Sequence, residues 1–365
     1  MADLAAVAVG PLADGMPTFK GRPGWEFTDL SALDVGAYQP CAAAPEVLGT
    51  PASAVGSLWR FDMPKLPDGV TVAFQDDTTV LTVARGTVLQ EPLGLTVVVP
   101  EGALYNQRTR VVLEPGAQAE VWEQYLSDGD CLLNLSTELH LGDGASLRYF
   151  SGQSLSEQAW IFGSQHATVS RDAQLDWVAL GFGSRSGHVL MQTRLAGQGA
   201  QARVTGAYAA RGAQHIDFDT TQEHVATNTT SDLAFRGVLQ GRSSAVWKGN
   251  IIVDPGAQKT DAFQESRNLL LSKRAHADAI PGLEIQANDV RCTHAAAVAQ
   301  VDPEQIFYLR SHGLREAEAK RLLIEGFLGA LLERFQLGAL RETLGVALER
   351  RLAELLDADP VLAAA

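Results

Sequence analysis

Cys292 and His294 stand two apart in NDVRCTHAAAV, and in a strand that spacing puts both side chains on one face, where a thiolate and an imidazole could share one metal or cluster. Two ligands do not make a stable site, so a second chain would have to supply the rest. The competing reading is structural, a packed cysteine beside a hydrogen-bonded histidine. His140, His166, His188 and His215 recur at intervals near one coil of a repeat, and stacking along one side of the fold explains them more simply than metal binding. Asp217, Asp219 and Glu223 form the one acid cluster suited to polysaccharide cleavage. That chemistry also needs Arg or Lys on the same face and usually a secretion signal. No nucleophile elbow, Walker loop, GxGxxG fingerprint or HExxH is present, and Gly181-Phe182-Gly183 lacks the further glycine and the helix that nucleotide binding requires.

The chain of 365 residues carries a formal net charge of -14 and is 46% apolar, enough for a substantial core. With a pI near 5.0 and no Lys/Arg run longer than a pair, it does not fit a nucleic-acid binder, which needs clustered cations. Asp3 and Pro11 disfavour a secretory signal, and no apolar run reaches the roughly 18 residues of a membrane helix. Cys41, Cys131 and Cys292 are odd in number and widely spaced, so a disulfide framework is not expected and a reducing cytoplasm is.

Positioning falls to a repeat. Residues 59–302 are rich in Val, Thr, Leu and Gly with period-2 alternation, the pattern of strands. Gly116-Ala117-Gln118 recurs as Gly144-Ala145-Ser146, Asp172-Ala173-Gln174, Gly199-Ala200-Gln201 and Gly256-Ala257-Gln258, a period of about 28 residues with a degenerate copy near Asn228-Thr229. After four of the anchors comes an apolar, polar, apolar triplet, as in Leu147-Arg148-Tyr149, which reads as a turn followed by a strand with one face inward. A β-solenoid of about eight coils, about 40 Å long at roughly 4.8 Å per coil, is the expected fold. The leucine-rich ladder is missing, and a sandwich or jelly roll is the competitor. Lys259-Thr260-Asp261, after the fifth anchor, stands where buried apolar residues are expected, marking either a functional contact or a solvated rim.

The flanks differ. Residues 1–58 are Pro/Ala-rich and read as helical or irregular; residues 303–365 read as a helical domain. Asp302, Pro303 and Gln305 supply an N-cap, N1 proline and N3 glutamine, and Gly313 a stop. Leu322, Leu323, Phe327, Ala330 and Leu331 form one apolar stripe, and Leu340, Leu344, Leu348, Leu352 and Leu355 another. Two or three amphipathic helices follow, serving as a cap on the solenoid end or as a docking surface.

From Ser244 to about Phe335, the segments AVWKGNIIVDPGAQKTDAFQESRNLLLS, LEIQANDVRCTHAAAVAQVD, PEQIFYLRSHGL and EAEAKRLLIEGFL resemble the SufB/SufD family of iron–sulfur cluster assembly proteins, and most closely its SufD members. Upstream, GRPGWEFTDL resembles the family's E-x-W-K-Y-T-x-L segment, with Phe27 for the aromatic. The resemblance implies a mainly β fold, a right-handed parallel β-helix between N- and C-terminal helical regions. It implies a non-catalytic scaffold that pairs with a SufB-like paralogue and binds a SufC-like ATPase through its C-terminal helices, with Pro303, Phe307, Tyr308, Leu322 and Phe327 on the ATPase-binding segment. Cys292 and His294 fall on the family's C-x-H, where a nascent iron–sulfur cluster would form at the interface, none being held stably by this chain alone. The chain is shorter than typical members and lacks the cysteine-rich segment of SufB, which favours SufD. Homodimer formation stays open, and neither nucleic acid nor membrane is an expected partner.

Overall fold

The computed structural model describes residues 26–41, 46–49, 51–55, 58–61, 66–75, 78–335 and 339–357. They build a parallel β-solenoid of about 8 turns, each turn contributing one strand to each of two sheets. The first sheet stacks Thr78–Val83, Ala103–Leu113, Leu132–Leu141, Trp160–Val169, Ser186–Leu195, His215–His224, Ser244–Val253 and His276–Ile285. The second stacks Leu93–Val98, Gln118–Leu126, Ser146–Ser154, Gln174–Gly181, Gln201–Ala210, Thr230–Leu239, Asp261–Leu270 and Arg291–Gln300.

Period-2 alternation turns one face of every strand inward, and parallel register stacks inward residues into columns. Leu113, Leu141, Val169 and Leu195 form one such column, none more than 2% exposed. Each contributes about 1.5–3 kcal/mol by leaving water. The outer face of the second sheet carries the opposite device, a column of alternating charge in which Glu120, Arg148, Asp176, Arg203 and Asp232 are successive neighbours. Arg148 lies 2.9 Å from Glu120 and 3.4 Å from Asp176.

The repeat turns need a left-handed residue. Gly116, Gly144, Asp172, Gly199, Asn228 and Lys259 all take positive φ there, and Ala117, Ala145, Ala173, Ala200, Thr229 and Thr260 follow, buried. This corrects the sequence-based anchor at Gly256-Ala257-Gln258. The structural equivalent is Lys259-Thr260-Asp261, displaced because the turn over 254–260 is longer than that over 225–229. The repeat therefore does not fail at this point. Thr replaces Ala because its hydroxyl is bonded, Thr229 accepting or donating at 2.8 Å to His224 Nδ1 and Thr260 donating to the Ala257 carbonyl at 2.8 Å. Burial pushes the His224 imidazole down to about 4, so it stays neutral.

Before the solenoid, where helical or irregular structure is expected, the described residues form a 3₁₀ turn at Val35–Ala37 and short strands; prolines 40 and 51 are within strands. The rest of that zone lies outside the described residues. Leu30, Leu33, Val35 and Tyr38 of the segment 26–41 cover Leu104, Leu132, Trp160 and Phe162 on the outer face of the first sheet, and Gln39–Cys41 then joins that sheet in parallel beside Ala103–Tyr105.

After the solenoid come α1 (Pro303–Ser311), α2 (Glu316–Leu332) and α3 (Ala339–Asp357). The last two lie on the outer face of the second sheet: Ile324, Leu328, Leu331, Leu344, Leu348 and Leu352 join Trp122, Phe150, Val178, Ala207 and Ala234 in one apolar cluster. Arginines clasp the contact, Arg334 reaching Asp232 at 3.1 Å and Arg236 donating to the Phe327 carbonyl at 2.6 Å. These helices are thus a flank along the side of the solenoid, because the apolar columns that need cover are there. Among the described residues, no helix is long and apolar enough to cross a membrane.

One interior group runs against the apolar pattern. Glu123 is fully buried, accepting from the Thr109 hydroxyl at 2.5 Å and from the Tyr149 hydroxyl. Burial pushes its carboxyl above the ordinary range, against the lowering effect of those hydroxyls. A raised folded-state pKa means that the native chain keeps a proton the unfolded chain releases, so this contribution is full below the ordinary glutamate pKa and is lost as pH rises through the folded value. Glu123→Gln, which carries no such proton, should therefore raise the melting temperature at neutral pH and flatten its decline with pH. Thermal unfolding across pH 5 to 9 checks this, each kcal/mol recovered being worth about 2–4 °C.

The uncovered end of the solenoid and its ligand pair

Every strand inside a stack is bonded on both edges, but among the described residues His276–Ile285 and Arg291–Gln300 are the last members of their sheets and pair on one side only. The interior columns continue into this final coil without a lid. Ile251 and Val253 are 0% exposed, whereas Leu283 and Ile285, their direct neighbours one coil further on, are 36% and 42% exposed. Val298, on the inward register of the second sheet, is 43% exposed at the same end, while Ile280, at 38%, lies on the outer face beside Lys248.

Cys292 and His294 sit on the final strand of the second sheet, on the inward-facing register, beside Ala262 and Gln264 respectively. The expectation that they share a strand face is met. Cys292 is half-buried against Ile251, Val253, Ala257, Ala262 and Ala287, and burial first, then the Asp261 carboxylate, pushes its thiol up. At neutral pH it is therefore a protonated thiol, which would have to lose that proton to bind a metal. His294 is exposed at the end surface. Beside them Arg291 pairs with Asp261 and holds that carboxyl below the usual range. Among the described residues no group of three or more His, Cys, Asp or Glu could hold a metal ion. The thiol and imidazole have the donor character that iron accepts, but the set is incomplete within one chain.

Immediately after this strand, Asp302 caps α1 by accepting from Glu304 N at 2.9 Å, and Pro303 occupies the first turn. Ile306 faces inward, leaving Phe307 and Tyr308 at 75% and 62% exposure; Leu322 on α2 is 49% exposed. Phe327 is different. It packs against the apolar cluster beneath the helices, with the Arg236 guanidinium 5.1 Å from its ring centre. Pro303, Phe307, Tyr308 and Leu322 therefore lie on accessible helix surface, whereas Phe327 lies at the seam between α2 and the solenoid.

The remaining candidates fall elsewhere. His140, His166, His188 and His215 share the outer face of the first sheet but occupy different columns, with Thr168, Gln192, Phe162 and Ser244 as respective neighbours. The acids of the cleavage reading are engaged by neighbouring side chains on that face. Asp217 accepts from Thr28 at 2.6 Å and lies 3.0 Å from His188; Lys248 is 3.2 Å from Asp219; Arg194 is 3.0 Å from Glu223. Asp217 is buried and anchors the 26–41 segment through Thr28, whereas Asp219 and Glu223 are held by Lys248 and Arg194 of the neighbouring strands. The exposed apolar end surface and the Thr28–Asp217 anchor escaped sequence reasoning. WEFTDL was the only signal for the latter.

Residues 97–327 match the family model described as SUF system FeS cluster assembly, SufBD core domain. A SufBD family iron–sulfur cluster assembly protein of Mycobacterium tuberculosis is 31% identical over 350 residues, covering 90% of this chain and 87% of the relative. The SufD proteins of Bacillus subtilis and Escherichia coli are 30% and 26% identical, over 78% and 80% of this chain and 69% and 72% of theirs. On the span of the family match and the near full-length identity to the mycobacterial protein, the chain belongs to the SufBD family of iron–sulfur cluster assembly proteins and is SufD-like.

Proposed function

We propose that this chain is a non-catalytic scaffold subunit of a cytoplasmic assembly complex, pairing through its uncovered solenoid end with a SufB-like β-helix and carrying a SufC-like ATPase on α1 and α2. The observation that supports it most is the final coil. Among the described residues, two strand edges without a neighbour and the exposed side chains of Leu283, Ile285 and Val298 share the final coil with a cysteine and a histidine that do not complete a ligand set alone. A second solenoid placed on that end would bond the free edges, bury Leu283, Ile285 and Val298, and bring further ligands to Cys292 and His294. The nascent cluster is cargo in this scheme. Cys292 supplies a thiolate after losing its proton, and His294 supplies a neutral ring nitrogen. Phe307, Tyr308 and Leu322 offer the apolar contacts that an ATPase surface would cover. Motion of the bound ATPase would then strain or relax the paired ends.

Co-expression with a SufB-like paralogue and a SufC-like ATPase tests the pairing. Ile285→Lys and Val298→Lys should each lower recovery of the paired complex at least about 10-fold, because a lysine in a closed apolar interface costs more than about 1.4 kcal/mol. The isolated chain should keep its stability within about 0.5 kcal/mol, both sites being exposed. Full recovery of the complex from both variants would remove the end surface from the interface.

His294→Ala separates docking from chemistry. The complex should form normally yet retain much less iron and acid-labile sulfide after reconstitution, measured colorimetrically per complex. Wild-type iron and sulfide in that variant would take His294 out of the mechanism.

A further inference from the structure

The interior column that ends in His294 changes character just before it does. Val121, Tyr149, Trp177, Val204 and Leu233 are successive neighbours in this column, all apolar or aromatic; then comes Gln264, and then His294. Gln264 is fully buried, and its side chain reaches across the lumen to the opposite sheet. There Nε2 donates to the Gly249 carbonyl at 3.3 Å and to the Gly282 carbonyl at 3.1 Å. Two carbonyl acceptors fix which end of the amide is nitrogen, so the orientation of Oε1 is set by the network. Gly249 leaves room for it, since a Cβ there would lie 2.8 Å from Oε1. Oε1 is buried and, among the described residues, has no hydrogen-bond donor. Below it in the column is Leu233, which cannot donate, and above it is His294, which can.

We propose that Gln264 is the positioning residue of His294. When the solenoid end is covered, a ring N–H of His294 donates to Gln264 Oε1, which selects one neutral tautomer and leaves the other ring nitrogen with its lone pair directed at the interface. This is the arrangement by which an outer partner makes an imidazole a competent ligand. The inference rests on the pairing reading above, in which the end is covered and His294 is a ligand. Gln264 touches no cargo. Its two backbone bonds tie the ring's acceptor to the first sheet, so both sheets of the solenoid contribute to the placement of His294.

The test uses perdeuterated full-length chain with ring-15N histidine, bound to an unlabelled SufB-like partner, with the His294 resonances identified by their loss in His294→Asn. Ring-nitrogen NMR shifts should report a single neutral tautomer for His294 in the complex. In Gln264→Met, which fills the same space without an acceptor, His294 should show averaged tautomers, and iron retained per complex should fall about 10-fold. Averaged tautomers in the wild-type complex would overturn the inference without recourse to any variant, which covers the case of Gln264→Met folding poorly. An unchanged single tautomer in Gln264→Met would overturn it too. Should His294→Ala retain normal iron, the ligand role itself fails, and that outcome is distinct from a Gln264 variant that leaves the tautomer intact while His294→Ala still loses iron.

Discussion

A strand in a parallel stack must have a bonded neighbour on each edge, and the two ends of this solenoid meet that constraint differently. At the N-terminal end, Val70–Gln75 folds back antiparallel on Thr78–Val83, and Glu46–Gly49 pairs antiparallel with Leu93–Val98, so each sheet ends there on a strand that runs against the stack. At the C-terminal end nothing in the described residues pairs with His276–Ile285 or Arg291–Gln300 on the far side. An edge of that kind is a template for another strand. The difference between the ends gives the molecule a direction, with antiparallel strands at one end and two strands of the parallel stack at the other.

The sides are closed in the same economical way. Helices α2 and α3 cover the aromatic columns of the second sheet, and the 26–41 segment covers those of the first, each fixed by a few polar contacts to groups the strands present. Arg334 finds Asp232, the last member of the alternating-charge column, and Thr28 finds Asp217. The outer faces are thus occupied. Most of the large apolar side chains that stay exposed among the described residues are in the final coil and on α1 and α2, with Phe27, Val88, Val98 and Val346 as the others.

Much of this was legible because stacking forces a period. Ala117, Ala145, Ala173 and Ala200 are small since each sits at the same crowded corner, and the recurrence revealed the solenoid. The same logic misled at Gly256, where a matching tripeptide fell inside a longer turn; the left-handed corner residue is Lys259, and nothing in its side chain announces that conformation. On α2 the sequence offered a broad apolar arc, and the buried members are Ala319, Ile324, Leu328 and Leu331, one face over from Leu322 and Phe327, because the sheet decides which part of a wide arc is used. Cys292 and His294 were visible by spacing. Gln264 was not, since its importance comes from lying one coil beneath His294, a neighbour relation thirty residues away in sequence that only the register reveals.

The claim on which the rest turns is that the uncovered end is where a homologous solenoid docks. Hydrogen–deuterium exchange of the full-length chain, alone and with a SufB-like partner, addresses it directly. Amides of His276–Ile285 and Arg291–Gln300 should exchange rapidly in the free chain and slow markedly on pairing, while those of the 26–41 segment and α3 stay as they were. Protection appearing on those side elements, with the two final strands still exchanging freely in the complex, would contradict docking at the solenoid end.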